Sequence, residues 1–302
     1  MKLPENVILC EVGLRDGLQN EEEILPLETK VSWARAIARS GFPVIELGSF
    51  VSPRAVPQMA DTDELFSALA GVERVELRAL VANERGVERA AQCGCRKVKL
   101  NVSASRRHNL ANLNRTPEES IDGFSSCVQL AQESGIEVSG SISMPFGSPW
   151  ERQIPFADVE GMIRAYRELG IREVSLSDTS GMATPAQVYD LSVRIQESWP
   201  DMIWWMHFHN TRGLALANIL AAMQAGLNRF DTSFAGLGGC PFVPGAAGNV
   251  ATEDALHMFL EMGISTGIDL DACIEIGRMA ASRFERSESY ILRAGKSSDL
   301  IR

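Results

Sequence analysis

Two short segments at opposite ends of the chain carry the residues best suited to chemistry. Arg15 and Asp16 follow an apolar run near the N-terminus, and His207 and His209 close an apolar run rich in Trp and Met. An aspartate supplies a hard oxygen and two histidines supply imidazole nitrogens, a ligand set suited to Mg²⁺, Mn²⁺ or Zn²⁺. An arginine beside such an ion stabilises negative charge on oxygen. The two segments therefore indicate chemistry through an enolate or an alkoxide.

The two histidines are two residues apart in a run that is predicted to be a β-strand. Side chains of a strand alternate between its faces, so His207 and His209 point to the same face. Two hydrogen-bonded core histidines are the alternative, but the chain holds only four histidines and a pair on one face favours a metal site. Asp16 precedes Gly17, and this dipeptide is also a common turn. Asn249 is a candidate for a fourth, neutral ligand.

The composition is that of an acidic globular enzyme. The 302 residues carry a formal net charge of −10, and 45% of them are hydrophobic. No long stripe of Lys or Arg is present, which argues against a nucleic-acid partner. No apolar stretch reaches transmembrane length and the N-terminus lacks a signal core, so we expect a cytoplasmic protein without membrane contact. An acidic enzyme that takes an anionic substrate needs local positive charge, which draws attention to Arg15.

Six cysteines are spread along the chain and do not form the dense framework of a disulfide-stabilised protein. We therefore expect reduced thiols. Cys93 and Cys95 flank Gly94, but no second pair completes a metal site. We favour a helix end with Gly94 as its cap.

The chain repeats one pattern, in which a short apolar strand is followed by a polar turn, an amphipathic helix and a glycine. The predicted strands are Val7–Val12, Val44–Ser49, Glu76–Val81, Val98–Val102, Glu137–Met144, Glu173–Ser177, Met202–His209 and Arg229–Ser233. The predicted helices include Leu27–Arg39, Pro117–Glu133, Phe156–Leu169, Pro185–Ser198, Leu214–Ala225, Thr252–Met262 and Ile274–Phe284. Eight such units predict a single (β/α)8 TIM-barrel domain over residues 1–302, with a C-terminal helical extension at about 265–302. An open doubly wound sheet is the alternative, but the first turn lacks its GxGxxG spacing.

Polar residues recur where the predicted strands end, at the rim that carries the active site in a barrel. Glu46 and Asp178 are assigned to the ends of the second and sixth strands. Each could orient a metal ligand, act as a general base or orient another group by a hydrogen bond. The sequence leaves these three roles open.

A glycine-rich segment covers residues 235–249 and contains Cys240. It fits a flexible loop, a phosphate-cradling loop or a mobile lid over the barrel mouth. The Lys-Ser/Thr ending of a P-loop is missing. Between Gly239 and Pro241, Cys240 is expected to be exposed and movable, which suits a thiol acid or base.

Together these segments resemble the 3-hydroxy-3-methylglutaryl-CoA lyase family, the metal-dependent TIM-barrel lyases with an Asp-Arg-Glu signature. The likeness spans nearly the whole chain. It is carried by Glu11–Asn20, Ser49–Met59, Ser175–Thr179, His207–His209, Ala235–Pro241 and Gly248–Asp254. The paired histidines and Arg-Asp alone would also admit the condensing branch, the isopropylmalate and citramalate synthases.

The resemblance implies a role for each candidate residue. Asp16, His207, His209 and Asn249 would bind Mg²⁺ or Mn²⁺. The catalytic group would consist of Arg15, Glu46, Asp178, His207, Cys240 and Glu253. In that group Arg15 would stabilise the enolate oxygen of the departing acetyl-CoA, Glu46 would complete the signature and Cys240 would sit on the catalytic loop. Asp178 and Glu253 would be polar groups that support the site.

The reaction that the resemblance implies is retro-Claisen cleavage of 3-hydroxy-3-methylglutaryl-CoA to acetyl-CoA and acetoacetate. Its partner would be an acyl-CoA substrate, and a homo-oligomer, dimer or tetramer, is expected. Three alternatives stay open: a sister lyase for another 3-hydroxy-3-substituted acyl-CoA of the citramalyl type, a condensing acyltransferase, and a non-catalytic metal- or CoA-binding barrel.

Two departures from the family pattern bear on the acyl group. Asn210 stands where such lyases often carry Asp, and the stretch Ser143–Gly147 replaces one that contains Cys. We expect Met144 and Phe146 in this stretch to shape the acyl pocket. Arg106 and Arg107, after the fourth strand, are candidates for the CoA phosphates, although solvated surface arginines are the simpler interpretation.

Overall fold

Eight parallel strands pair in chain order and close into a barrel in the computed structural model, which describes residues 2–239 and 247–299. The strands are β1 (Ile8–Glu11), β2 (Val44–Ser49), β3 (Glu76–Val81), β4 (Lys97–Ser103), β5 (Glu137–Ser143), β6 (Glu173–Asp178), β7 (Ile203–Phe208) and β8 (Arg229–Thr232). The barrel closes between β1 and β8, where Leu9 lies opposite Phe230. The predicted TIM barrel is confirmed, and each strand begins and ends within one residue of its predicted bounds.

The connections between strands carry the helices. They are α1 (Leu27–Arg39), α2 (Thr62–Ala68), α3 (Glu84–Gln92), α4 (Arg106–Leu113), α5 (Pro117–Asp122), α6 (Phe124–Glu133), α7 (Phe156–Glu168), α8 (Pro185–Ser198), α9 (Ala215–Gln224), α10 (Thr252–Glu261), α11 (Leu270–Phe284) and α12 (Tyr290–Ala294). Among the described residues, no helix is long and apolar enough to cross a membrane.

Two helices differ from their predicted bounds by more than one residue at an end. The single helix predicted over Pro117–Glu133 is two helices that meet at Gly123, a residue with poor helix propensity. The C-terminal helix begins at Leu270 rather than Ile274. Its N-cap is Asp269, whose carboxylate accepts from two backbone N–H groups of the first turn.

The interpretation of Gly94 as a helix cap is confirmed. Helix α3 ends at Gln92, and Gly94 follows with a φ of 79°, a left-handed conformation in which glycine avoids the strain that a Cβ atom brings. The described cysteines are all free thiols.

The barrel interior is charged rather than wholly apolar. At the end where the strands begin, Lys97 lies 2.7 Å from a Glu173 carboxylate oxygen, and Arg78 lies over the ring of Trp205. Since β4 side chains alternate, Lys99 points the same way as Lys97, one layer nearer the opposite rim. Buried charges are tolerated only where they are paired, so this interior is built from ion pairs that fix the side chains below the active site.

A buried tyrosine ties the helical layer to the barrel. The Tyr166 hydroxyl of α7 lies 2.9 Å from the carbonyl oxygens of both Leu100 and Ser141 on adjacent strands. Its ring passes over Gly140, where a Cβ atom would lie 3.0 Å from ring atoms. The glycine therefore makes room for the tyrosine to reach both strands.

We expect Tyr166→Phe to lower the free energy of unfolding by roughly 1–3 kcal/mol, because it removes the hydroxyl proton that is donated to one of the two buried carbonyl oxygens. Urea denaturation monitored by circular dichroism measures the loss. The matched control is Tyr189→Phe on α8, where the side chain is 43% exposed and the change should be near zero. Equal stability of the two variants would contradict this role for Tyr166.

Candidate active site

A cavity of about 590 Å³ opens at the ends of the strands, where TIM barrels place their active sites. The two segments singled out from the sequence meet in its lining, because Arg15 and Asp16 follow β1 and His207 and His209 close β7. The structure therefore brings together residues that are about 190 positions apart.

A tight turn places Arg15 and Asp16. Residues Gly13–Gly17 form one turn of π-helix, in which the Asp16 N–H donates to the Val12 carbonyl at 2.7 Å. A Cβ atom at Gly13 would lie 2.4 Å from the Phe234 ring, so only glycine fits there. Single π-turns often occur at functional sites, and this one directs an arginine and an aspartate into the cavity.

The candidate metal ligands form a compact buried cluster. The Asp16 Oδ2 atom lies 3.8 Å from His207 Nε2 and 3.6 Å from His209 Nε2, and the donor atoms of the three residues all lie within 4.8 Å of one another. The prediction that both imidazoles share one face is confirmed by ring centroids 5.2 Å apart. One carboxylate and two imidazoles at this spacing can hold a divalent cation.

His207 is oriented by a second carboxylate. Its Nδ1 lies 3.2 Å from Asp231 Oδ2 on β8, which leaves Nε2 facing Asp16. Burial raises the pKa of Asp231, but Lys99 and the hydrogen bond from His207 outweigh it and lower the pKa to about 2. A carboxylate behind an imidazole is the usual support of a metal-binding histidine. Beyond its place at a strand end, nothing in the sequence singled out Asp231.

Asn249 completes the cluster. Its Nδ2 group donates to Asp16 Oδ2 at 2.8 Å and to the Leu237 carbonyl at 2.9 Å. Its buried Oδ1 atom has no hydrogen-bond partner among the described residues. Since buried amide oxygens are almost always satisfied, an unpartnered one beside this cluster fits a cation ligand.

Two carboxylates, those of Glu46 and Asp16, hold Arg15. The position of Glu46 within β2 differs from the predicted one. Glu46 is the third residue of β2 rather than its last, and it is fully buried inside the barrel. One Glu46 oxygen accepts from Arg15 Nε, and the other lies 2.5 Å from Lys99 Nζ. Arg15 Nη1 also contacts Asp16 Oδ1 at 2.5 Å. Burial raises the pKa of Glu46, but Arg15 and Lys99 outweigh burial and hold it below its usual range.

Asp178 holds the loop that follows β6 by accepting hydrogen bonds from its backbone. Its carboxylate accepts from the backbone N–H groups of Met182 at 2.9 Å and Ala183 at 3.0 Å. Burial raises the pKa of Asp178, and these hydrogen bonds and the His209 imidazole act in the opposite direction. Asp178 is not in the cavity lining, so the structure assigns it to holding the loop behind His209.

Glu253 contacts Ala235, at the start of the glycine-rich segment, and is not in the cavity lining. It is fully buried and accepts from the Ala235 N–H at 2.9 Å. Glu11, close by, accepts from the N–H groups of Gly13 and Phe234. Ala235 has a φ of 55°, a strained conformation that the hydrogen bonds of these two carboxyl groups hold in place.

The two ends of the glycine-rich segment pack backbone to backbone, since a Cβ atom at Gly248 would lie 1.7 Å from the Gly236 carbonyl oxygen. Cys240, predicted on a catalytic loop, lies outside the described residues.

Met144 and Phe146 do not shape the cavity as predicted. Both are buried in the core outside its lining, and the Phe146 ring lies 6.3 Å from that of Phe208. Met144 directly follows β5 and has a φ of 63°, in the left-handed region. Ser143 lines the cavity in their place.

Two residues of the site were not identified from the sequence. Lys99 supports Glu46, and Gln19 Nε2 donates to Asp16 Oδ1 at 3.0 Å. The spacing of Lys97 and Lys99 was the available signal for Lys99, because two lysines two apart in a strand share one face. Gln19 lies one turn beyond Asp16, inside the motif Glu11–Asn20, but was assigned no role.

Comparison with known proteins gives a consistent result. A family model described as HMGL-like matches residues 6–280. The chain is 40% identical to a hydroxymethylglutaryl-CoA lyase of Pseudomonas mevalonii over 298 residues, which cover 97% of this chain and 98% of that protein. It is 38% identical over 287 residues to the mitochondrial hydroxymethylglutaryl-CoA lyase of Rattus norvegicus, covering 95% of this chain and 88% of that protein.

The solved structures that resemble this chain include HMG-CoA lyases as well. An HMG-CoA lyase from Acinetobacter baumannii, in complex with coenzyme A and 3-methylmalate, superposes with a TM-score of 0.95 at 38% identity and covers 100% of this chain and 99% of that chain. The carboxyl transferase domain of Rhizobium etli pyruvate carboxylase, with a TM-score of 0.70 at 17% identity, shares the fold alone; it covers 98% of this chain and 50% of that chain.

The buried carboxyl of Glu253 predicts a pH dependence of stability. Burial raises its pKa from 4.5 to about 8, so the folded protein keeps a proton that the unfolded chain releases. Because the folded state then binds more protons than the unfolded state, this residue lowers stability as pH rises between about 4.5 and about 8.

Glutamine does not ionise, so Glu253→Gln should gain stability relative to the parent protein as pH rises through that range, by up to about 1.4 kcal/mol per pH unit. Denaturant titrations at several pH values measure the difference. The buried amide can change the free energy of unfolding by the same amount at every pH, which leaves its slope against pH unchanged. Glu261→Gln, at an exposed position on the same helix, is the control. Parallel stability curves for the Glu253 variant and the parent would contradict the prediction.

Proposed function

Because the chain belongs to the HMGL-like family, we propose that it is a divalent-metal-dependent lyase that cleaves 3-hydroxy-3-methylglutaryl-CoA to acetyl-CoA and acetoacetate. The observation that supports this most strongly is Arg15 beside the cluster of Asp16, His207 and His209 in one cavity. The relatives are named for this reaction, and one of them was solved with coenzyme A.

Asp16, His207, His209 and Asn249 would hold the metal, and their oxygen and imidazole donors suit Mg²⁺ or Mn²⁺. When bound, such an ion lowers the pKa of a hydroxyl group and polarises an adjacent oxygen. Asp231 keeps the Nε2 atom of His207 turned toward the cluster.

Arg15 is placed to stabilise the enolate. Its Nε and Nη1 groups are used by Glu46 and Asp16, while Nη2 has no partner among the described residues and is free to donate to the substrate. Arg15 would bind the thioester oxygen, where negative charge develops when the carbon–carbon bond breaks. A donor fixed in advance at such an oxygen is among the largest contributions to catalysis.

The reaction balances with two proton transfers. A base takes the proton of the C3 hydroxyl, the bond between C2 and C3 breaks, and C3 becomes the ketone carbon of acetoacetate. The electron pair of the broken bond stays on C2 as the enolate of acetyl-CoA, which an acid then protonates. His207 and Cys240 are our candidates for the groups that move these protons.

A sister lyase for a more polar substrate is the second candidate. The cavity wall formed by β4, β5 and β6 carries short polar side chains, namely Asn101, Ser141, Ser143 and Ser177. Ser143 donates to the Asn101 oxygen at 2.8 Å, which leaves the Asn101 amide N–H groups available to a ligand. Such a wall favours a hydroxyl or carboxylate in the 3-substituent over a bare methyl group.

The cytoplasmic location, the homo-oligomer and the single domain over residues 1–302 remain predictions.

Incubation of the purified protein with Mg²⁺ or Mn²⁺ and 3-hydroxy-3-methylglutaryl-CoA tests the function. We expect release of acetoacetate that stops when EDTA is added. Metal-bound protein that releases none would contradict the proposal and favour the sister lyase, for which a panel of 3-hydroxy-acyl-CoAs with different 3-substituents is the next substrate set.

Two single variants test the proposed enolate donor and the proposed metal ligands separately. Arg15→Met should lower kcat by about 10²–10³-fold, since it removes one fixed donor to the enolate, and should keep the metal. His209→Ala should lose the metal, because it removes one of three clustered ligands. Elemental analysis after gel filtration measures metal content, and acetoacetate release measures turnover. Near-normal turnover of Arg15→Met, or unchanged metal in His209→Ala, would contradict the assigned role.

A further inference from the structure

Arg15 and Glu46 form only half of the contact that an arginine usually makes with a carboxylate. The Nε–H and one Nη2–H of a guanidinium point to the same side, and a carboxylate accepts best from both at once. Here Glu46 accepts from Nε through Oε1, and Asp16 accepts from Nη1. Nη2 has no partner among the described residues. The second oxygen of Glu46 is therefore not paired with the guanidinium.

Lys99 occupies that second oxygen. Its Nζ atom lies 2.5 Å from Glu46 Oε2, and the side chains of Lys99 and Glu46 are 3% and 0% exposed. Asp231 Oδ2 lies 3.8 Å from the same Nζ atom, so the ammonium group is held between two carboxylates. A buried ion pair of this kind does not open readily, because each charge would be left without its partner.

The ammonium group excludes the other half of the guanidinium in two ways. It takes the lone-pair side of Oε2 that Nη2 would need, and its positive charge repels the guanidinium in a region that water does not screen. Because Nε and Nη1 stay bound to Glu46 and Asp16, the orientation of Arg15 is fixed while Nη2 is left over. Both Arg15 and Lys99 line the active-site cavity, so this arrangement lies where a substrate would bind.

We propose that Lys99 is a positioning residue: by occupying Glu46 Oε2 it keeps the Nη2 group of Arg15 free for the substrate oxygen. This inference rests on the proposed function, in which Arg15 stabilises the enolate. Lys99 then acts through Arg15 and not on the reacting atoms. Its loss should lower kcat and change KM little, because the affected interaction is made in the transition state.

Lys99→Met keeps an unbranched side chain and removes the ammonium group. We expect kcat to fall about 10- to 100-fold with KM changed less than about threefold, because Nη2 turns to the vacated oxygen of Glu46. Metal content by elemental analysis should equal that of the parent protein, since Lys99 pairs with Glu46 and Asp231 and with none of the candidate ligands. A loss of metal in this variant would explain the lower kcat and overturn the proposal.

Two further variants separate the position of Lys99 from the general cost of removing a buried charge. Lys97 points the same way two residues earlier on β4, lies 2.7 Å from Glu173 and is outside the cavity lining. Lys97→Met should lower the free energy of unfolding, as Lys99→Met does, but leave kcat unchanged. Lys99→Arg keeps a cation beside Oε2, and its kcat should be nearer that of the parent than that of Lys99→Met. Equal falls of kcat in Lys97→Met and Lys99→Met, or in Lys99→Arg and Lys99→Met, would overturn the proposal.

A double-mutant cycle tests whether Lys99 acts through Arg15. If it does, adding Lys99→Met to Arg15→Met should change kcat by less than about twofold, because the donor that Lys99 keeps free is already gone. A residue with an independent or purely structural role would lower kcat in the Arg15→Met background by the same factor as in the parent. That result would overturn the proposal.

Crystal structures of the parent protein and of Lys99→Met separate this inference from the proposed function. We expect Arg15 Nη2 at about 2.7–3.2 Å from Glu46 Oε2 in the variant and unpaired in the parent. If this change occurs in a protein that does not cleave 3-hydroxy-3-methylglutaryl-CoA, the assignment of Lys99 holds while the function fails. If Nη2 is bound to Glu46 in the parent, or stays unpaired in the variant, the assignment fails whatever the lyase assay shows.

Discussion

Charge compensation around Arg15 is the constraint on which the site depends. A buried guanidinium is tolerated only when carboxylates surround it, and here Glu46 and Asp16 take that part. Glu46 is in turn neutralised by Lys99, whose Nζ atom also lies 3.8 Å from Asp231. Asp231 then orients His207. One chain of alternating charges therefore links the proposed enolate donor to the proposed metal ligands, and a change at any member alters both halves of the site.

Much of this arrangement could be predicted from the sequence. The period-two pattern of the strands and the glycine stops between them predict a barrel, and a barrel brings the ends of β1 and β7 to one rim. The period of two also predicts that His207 and His209 share a face, as the structure confirms. These features depend only on local sequence patterns and on the rule that eight strand–helix units close into a barrel. They could therefore be predicted from the sequence.

The rest depends on contacts between residues that are far apart in the chain, which local patterns do not contain. Glu46 was assigned to a strand end, but it is the third residue of β2, and its side chain contacts Arg15 and Lys99 inside the barrel. Glu253 follows the motif around Asn249, yet its helix turns the carboxylate toward Ala235. The partnership of Lys99 with Asp231 crosses the barrel from β4 to β8, and no sequence spacing reports such a contact.

The net charge of the chain sets a requirement for binding. A protein with a charge of −10 repels a polyanionic substrate at long range, so positive charge must be concentrated where the substrate lies. The cavity provides it at Arg15, Lys99 and Arg115, which all line it. Binding energy from phosphates remote from the reacting carbon can offset the cost of placing the acyl group against buried charges.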